Sequence, residues 1–200
     1  MLYPPVILAS KSPRRARLLE QIGVPYRAIP SGVEERPPAG MSPARAAEHL
    51  ARAKALEVAE GLLDPVPEVA VVAADTRVIV DGKALDKPGD PEEARWMLAQ
   101  LSGRAHEVAT GVAVVPLRSS RGPESWVEIT RVYFRRLAPE EIEAYVATGG
   151  PMDKAGGYGI QEGAGAFVER LEGCYFNVVG LPLARLSALL LELGREARGR

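Results

Sequence analysis

The sequence has a single cysteine among its 200 residues, which excludes an internal disulfide. Two histidines and one thiol are also too few for a zinc cluster. No stretch of about 18 apolar residues occurs, and this excludes a transmembrane helix. An excess of charge of one sign is missing too, because 25 basic and 26 acidic residues leave a formal net charge of −1. A general basic surface for DNA or RNA is therefore excluded.

The length fits one domain over residues 1–200, in which two small lobes share a core. The N-terminal segment has no basic stretch ahead of its apolar run, so we expect no signal peptide. Together with the lone thiol, which suits a reducing compartment, this predicts a cytoplasmic protein. We expect neither a membrane nor a nucleic acid as its partner.

Short apolar runs alternate with amphipathic segments along the chain, which is typical of the α/β class. Strands, including one hairpin, are predicted at residues 6–9, 26–29, 69–74, 77–85, 106–115, 126–136, 167–171 and 175–179. Helices with capping signals are predicted at residues 12–22, 42–60, 90–101, 139–148 and 182–193. Seven glycines within residues 149–165 are too many for a regular element, so a loop is predicted there.

A group of cations lies where the first predicted strand runs into the first predicted helix. Residues 1–27 carry a net charge of +4, and a helix start attracts anions through its dipole and unpaired amides. This pattern predicts a phosphate site whose donors are Ser10, Lys11, Ser12, Arg14 and Arg15. The alternative is that Ser12 and Pro13 only cap the helix while the arginines are solvated.

Acidic residues and lysines that suit metal-assisted phosphate chemistry lie further along the chain. Asp75 ends a predicted buried strand, where α/β proteins place ligand-binding groups, and its carboxylate can hold a metal or accept a proton. Glu34 and Glu35 follow another predicted strand and are candidate metal ligands. Lys54 and Lys87 are candidate phosphate contacts. The alternatives are a turn aspartate, an exposed pair of loop glutamates and solvated surface lysines.

The glycine-rich segment has features that suit a nucleobase. Glycine lets a backbone approach a ligand closely, and Tyr158 offers a ring for stacking. The Gln161 amide supplies one donor and one acceptor, which match the adjacent N3–H and O4 of uracil or thymine. A flexible surface loop is the alternative. We interpret His106 and Cys174 as structural residues.

Six segments of the chain carry a resemblance to a known family. In order and spacing they resemble the Maf family of nucleoside triphosphate pyrophosphatases, at residues 8–15, 74–76, 87–88, 101–106, 153–161 and 179–182. The resemblance implies hydrolysis between the α and β phosphates with a divalent cation, Mg²⁺ or Mn²⁺. It implies an elongated mixed β-sheet flanked by helices, in two lobes with a central cleft, similar to the inosine triphosphate pyrophosphatases. It also implies a homodimer.

The resemblance also implies roles for individual residues. Asp75 matches the proton acceptor of the family. Arg14, Thr76 and Gln161 match the three positions that mark the branch acting on dTTP and UTP. The chain departs from the family pattern at Glu162, where we expect glycine, and this places a carboxylate at the edge of the predicted base pocket.

The resulting hypothesis is an enzyme that hydrolyses dTTP and UTP to the monophosphate and pyrophosphate. Asp75, Lys54 and Lys87 are its predicted catalytic residues, and Glu35 with Asp75 is its predicted metal site. The predicted substrate-binding residues are Ser10, Arg14, Arg15, Thr76, Lys154 and Gln161. The alternative is a nucleotide-binding regulator of septum formation and cell division without significant turnover, which would need the phosphate site but not Asp75.

Overall fold

The computed structural model describes residues 2–63 and 66–199, so both ends of the predicted domain lie outside the described residues. The strands are β1 Val6–Leu8, β2 Tyr26–Ala28, β3 Ala70–Val80, β4 Lys83–Leu85, β5 Ala105–Pro116, β6 Glu124–Phe134 and β7 Val168–Glu172. The helices are α1 Pro13–Gln21, α2 Pro43–Glu60, α3 Pro91–Leu101, α4 Pro139–Ala147, α5 Tyr175–Val179 and α6 Leu183–Arg198. No helix in these two ranges is both long and apolar enough to cross a membrane.

All seven strands form one mixed sheet, which confirms the predicted α/β class. The strand order is β2-β1-β3-β5-β6-β7, and β4 pairs with one end of β3. β1 runs parallel to both β2 and β3, whereas all other pairs are antiparallel. The glycine-rich segment contains only two short 3₁₀ turns, Ala155–Gly157 and Gly163–Phe167, as its composition predicted.

Two of three clusters of buried side chains lie on either side of a cleft, and the third packs α2 against the sheet. The first joins α1 and α6 to β1 and the start of β3, and includes Leu18, Leu190 and Val179. The second joins α3 and α4 to the far end of the sheet, and includes Val78 and Tyr158. Val179 of the first cluster and Val78 and Tyr158 of the second line the same cleft. The cleft therefore lies between these two clusters.

Asp75 lies in the middle of β3, not at the end of a strand as predicted. The sequence divides this region into a strand and a hairpin, but β3 runs unbroken because β5 pairs with it from Ala70 to Ile79. On the other side, β1 pairs with residues 71–72 and β4 with residues 78–80. Among the described strands, none pairs with residues 73–77 on that side. The sheet therefore has a gap beside Asp75, and the gap gives the cleft access to the strand.

Asp75 and its neighbour Thr76 face opposite sides of the sheet, since successive side chains of a strand alternate. Asp75 pairs with Gly111, where an added Cβ would lie 2.3 Å from the backbone of Ala47 in α2. Thr76 pairs with Thr110, whose hydroxyl donates to the Asn177 carbonyl in α5. Small residues thus let α2 approach one face of the sheet closely, while α5 covers the other.

Residues 175–179 form a helix, which corrects the strand predicted for them. Two consecutive valines favour a strand locally. The helical turn instead buries Asn177 completely, and its amide donates to the Val108 carbonyl at 2.8 Å and to Thr130 Oγ1 at 2.9 Å. Gly173 and Gly180, with φ of +127° and +121°, provide the chain reversals on either side.

Candidate active site

The cleft brings all ten of the predicted site residues together. It consists of two adjoining hollows of about 120 and 490 Å³, which share Arg14, Arg15, Glu35 and Lys87. Asp75, Thr76, Lys154 and Gln161 line the first hollow, and Ser10 and Lys54 line the second. Residues from α1, α2, β3 and the glycine-rich segment thus meet at one place, although they are far apart in sequence.

Lys54 lies between the two predicted metal ligands. Its ammonium donates to Glu35 Oε1 at 2.6 Å and to Asp75 Oδ1 at 2.8 Å. Lys54 is 7% exposed and Asp75 6% exposed, so this is a buried ion pair and not the solvated lysine of the alternative interpretation. The alanine-rich face of α2, which packs on β3 and β5, holds the lysine at this depth.

The Lys54 cluster (Glu35, Lys54 and Asp75) lies in a strongly positive environment. Burial opposes ionisation of Glu35, but the hydrogen bond from Lys54 and the charges of Lys54, Lys87 and Arg15 outweigh it, so the pKa of Glu35 is lowered. The second oxygen of Asp75 lies 3.5 Å from Arg77 Nε. Lys87, by contrast, is exposed at the rim of the cleft.

Arg15 is held by neutral groups on three sides. Its guanidinium donates to the Gly180 carbonyl at 2.9 Å, to Ser10 Oγ at 3.1 Å and to Thr76 Oγ1 at 3.1 Å. Burial lowers the pKa of Arg15, although the charge of Asp75 partly opposes this. No carboxylate forms an ion pair with Arg15 in the part of the chain that the structure describes. A half-buried cation without a paired anion favours binding of an anionic ligand.

Hydrogen bonds to β5 and, through it, to α5 fix the hydroxyl of Thr76. Its hydroxyl lies 2.9 Å from Thr110 Oγ1, which in turn donates to the Asn177 carbonyl at 2.9 Å. Sequence reasoning missed both Thr110 and Asn177. The one available signal was that Asn177 is the only asparagine of the chain.

A second charged group connects α1 to the glycine-rich segment. Arg14 donates to Asp153 Oδ2 at 2.7 Å, and Lys154 donates to Asp153 Oδ1 at 2.6 Å. Lys154 also forms an ion pair with Glu162 at 3.0 Å. Asp153 was absent from the predicted site residues, although it begins the motif that contains Lys154 and Gln161.

The base-recognition residues differ in how available they are. Gln161 is exposed, and its amide makes no hydrogen bond within residues 2–63 and 66–199, so it is free to meet a ligand. Tyr158 is only 6% exposed, and its ring packs edge-on against His106 and Phe134. Its hydroxyl lies 2.7 Å from His106 Nε2. Little ring face remains for a base, and His106 is a structural partner of the loop.

Glu35 and Asp75 suit a metal ion that is shared with a substrate. Each carboxylate uses one oxygen, Glu35 Oε1 or Asp75 Oδ1, to bind the Lys54 ammonium, so its second oxygen is the one that could bind a metal, and carboxylate oxygens are the donors that Mg²⁺ prefers. Within the described ranges, no group of three or more His, Cys, Asp or Glu residues could form a complete metal site. Mg²⁺ usually binds one or two carboxylates and completes its shell with water and substrate phosphates, and this donor set fits that pattern.

A sequence profile of the Maf-like protein family matches residues 5–193. The chain belongs to this family. It is 50% identical over 189 residues to a relative from Pelotomaculum thermopropionicum named dTTP/UTP pyrophosphatase, covering 94% of this chain and 96% of the relative. A relative of the same name from Moorella thermoacetica is 50% identical over 196 residues, covering 98% of each chain.

Membership of the Maf-like family confirms the resemblance inferred from the six motifs. The names of the relatives confirm the predicted enzyme class, a hydrolase of the pyrophosphatase type. Among solved structures, the Staphylococcus aureus Ham1 protein aligns with 65% of this chain and 71% of its own, at 15% identity and a TM-score of 0.46.

Proposed function

We propose that this chain hydrolyses dTTP and UTP to the nucleoside monophosphate and pyrophosphate. The observation that carries the proposal is that the Lys54 cluster and the unpaired Gln161 amide belong to one cleft. The first provides charge and a proton acceptor for phosphate chemistry, and the second suits a pyrimidine edge. The names of relatives at 46–50% identity point to the same substrates.

In the proposed reaction, a water molecule attacks the α-phosphorus and gives its proton to Asp75. A P–O bond to the water oxygen forms as the bond between the α-phosphorus and the bridging oxygen breaks, and pyrophosphate leaves. Lys54, Lys87 and Arg15 offset the charge that grows on the leaving group, and such electrostatic stabilisation is usually the largest catalytic effect. Ser10, Arg14 and Thr76 orient the nucleotide.

Glu35 and Asp75 would hold the divalent cation, Mg²⁺ or Mn²⁺. When bound, this cation would neutralise part of the triphosphate charge. Lys54 lies between the two carboxylates, and it therefore keeps both of them ionised and oriented toward one point. A homodimer in the cytoplasm, with a small nucleotide as its partner, completes the proposal.

A panel of nucleoside triphosphates tests the proposal directly. Purified protein is incubated with Mg²⁺ and each of dTTP, UTP, CTP, ATP, GTP and 7-methyl-GTP, and released pyrophosphate is measured. We expect dTTP and UTP to be the best substrates, and chelation of the metal to stop release. Gln161→Leu should narrow the difference between UTP and ATP. Tight nucleotide binding without pyrophosphate release would contradict the proposal and favour the regulator.

A further inference from the structure

The Lys154 ammonium is directed at acceptors of its own segment. An ammonium has three N–H donors. In this structure they face three acceptors, namely the Gly150 carbonyl at 2.7 Å, Asp153 Oδ1 at 2.6 Å and Glu162 Oε2 at 3.0 Å. Lys154 is 5% exposed. Its contacts therefore differ from those expected of a phosphate ligand, and they are all internal to the glycine-rich segment.

The stem of Lys154 also packs against this segment. A Cβ added to Gly159 would lie 2.5 Å from Cε of Lys154 and 2.8 Å from its Cδ. A side chain at residue 159 would displace the end of Lys154, so glycine at this residue lets the lysine lie across the loop. The lysine thus passes across the middle of the segment and joins residues near its two ends.

Glu162 is the residue at which this chain departs from the family pattern. Its carboxylate neutralises Lys154 together with Asp153, and these two carboxylates outweigh the effect of burial, so the pKa of Lys154 is raised. Glu162 also directly follows Gln161. An ion pair at residue 162 therefore restricts the backbone that carries the proposed base-reading amide.

We propose that Asp153, Lys154, Glu162 and the Gly150 carbonyl form a clamp that sets the position of Gln161 and thereby the preference for a pyrimidine base. Lys154 and Glu162 act as positioning residues and do not touch the substrate. The part that concerns base preference rests on the proposed function. The clamp itself concerns only the order of residues 150–163 in the free protein.

Amide hydrogen exchange tests the clamp without reference to activity. The test variant is Glu162→Gln, which keeps the size of the side chain and removes its charge. The matched control is Glu169→Gln, because Glu169 is exposed on β7 outside the clamp. We expect exchange in residues 150–163 to be roughly 3- to 10-fold faster in Glu162→Gln, since the pair is partly solvated, and unchanged in the control. Unchanged exchange in Glu162→Gln would overturn the clamp.

Steady-state kinetics tests the positioning role. In Glu162→Gln we expect KM for UTP to rise roughly 3- to 10-fold, kcat to stay within about twofold, and the preference for UTP over ATP to fall. Lys154→Met should give the same pattern, and the double variant should add little, because both substitutions remove one interaction. A fall in kcat alone, or fully additive effects, would overturn the role. If the wild-type protein hydrolyses no nucleotide, the proposed function fails, and hydrogen exchange alone decides on the clamp.

Discussion

Lys54 and Lys154 are both buried lysines that lie between two carboxylates, yet they belong to different kinds of structure. Lys54 extends from a long helix, and its hydrogen bonds reach Asp75 in a central strand and Glu35 in the loop before that helix. Lys154 lies in an irregular segment, and its partners are residues 150, 153 and 162 of that segment. The same local chemistry therefore orders the chain over very different distances.

The two lysines also differ in what they leave available. The Lys54 ammonium has two acceptors and one remaining N–H. It lines the larger of the two hollows, together with Glu35 and Lys87. The Lys154 ammonium has three acceptors. This difference fits the proposed function, in which the Lys54 cluster takes part in the chemistry and the glycine-rich segment selects the nucleobase. The two parts should then respond differently to substitution.

The largest effect is expected from Asp75→Asn. The amide still accepts a hydrogen bond from Lys54 but cannot take a proton, so kcat should fall roughly 10²- to 10⁴-fold while the fold is retained. The assay is pyrophosphate release from UTP, with circular dichroism to check folding. Asp81→Asn, a change in an exposed turn, is the matched control. An active Asp75→Asn variant would show that Asp75 is not the proton acceptor of the reaction.

Removing Lys54 should lower the free energy of unfolding more than removing Lys154. Lys54→Met removes the hydrogen-bonded cation of the buried Asp75 and leaves it only Arg77, at 3.5 Å, so the free energy of unfolding should fall by up to roughly 3–5 kcal/mol. The carboxylates of Asp153 and Glu162 are 60% and 46% exposed, so water can solvate them after Lys154→Met, and a smaller loss is expected. Urea denaturation measures both, with Lys83→Met as the exposed control. Equal losses of unfolding free energy in Lys54→Met and Lys154→Met would contradict the proposed difference between the two lysines.

The glycine-rich segment packs on a buried histidine, His106, through Tyr158. Burial lowers the pKa of His106 to about 4, below the ordinary value of 6.5. The unfolded chain therefore binds the proton first as pH falls, and stability is lost between about pH 6.5 and pH 4. We expect the free energy of unfolding to drop by roughly 2–3 kcal/mol between pH 7 and pH 4.5 through this residue.

Urea denaturation at the two pH values checks the histidine. His106→Gln should show less of the acid loss than the wild type, since it has no group that titrates in this range. His49→Gln serves as the control, because the other histidine of the chain is exposed on α2. If His106→Gln lost as much stability in acid as the wild type, another group would carry the effect.

The smallest effect is expected from Asp153→Asn. This change removes the charge that joins Arg14 to Lys154, but the carboxylate is 60% exposed, so each ion pair is weak. We expect KM for UTP to rise about 3-fold with little change in kcat. Initial-rate measurements across a range of UTP concentrations are sufficient, and salt should reduce the difference between variant and wild type. A large fall in kcat would show that the loop also takes part in the chemistry.

The sequence was sufficient for most elements, and the residues that it predicted for the site all line one cleft. Motifs with local physical signals, such as the helix start at Ser12 and Pro13 and the glycine-rich segment, lie where they were expected. The errors arose where distant residues decide. Asn177 forms a buried helix because its partners are on β5 and β6, and Asp75 lies in mid-strand because β5 pairs along both halves of β3. These partners are distant in sequence, so the residues next to Asn177 or Asp75 do not reveal them.

The alternation of Asp75 and Thr76 across β3 has a consequence for how such an enzyme can evolve. In the proposed reaction the proton acceptor is Asp75, whose side chain faces α2, and the next residue, Thr76, is a proposed substrate contact on the face that α5 covers. A substitution of Thr76 leaves the Lys54 cluster on the other face in place, although it removes a hydrogen bond from Arg15. An insertion of one residue, in contrast, would exchange the two faces at once. The strand should therefore tolerate a changed residue at Thr76 better than a changed length.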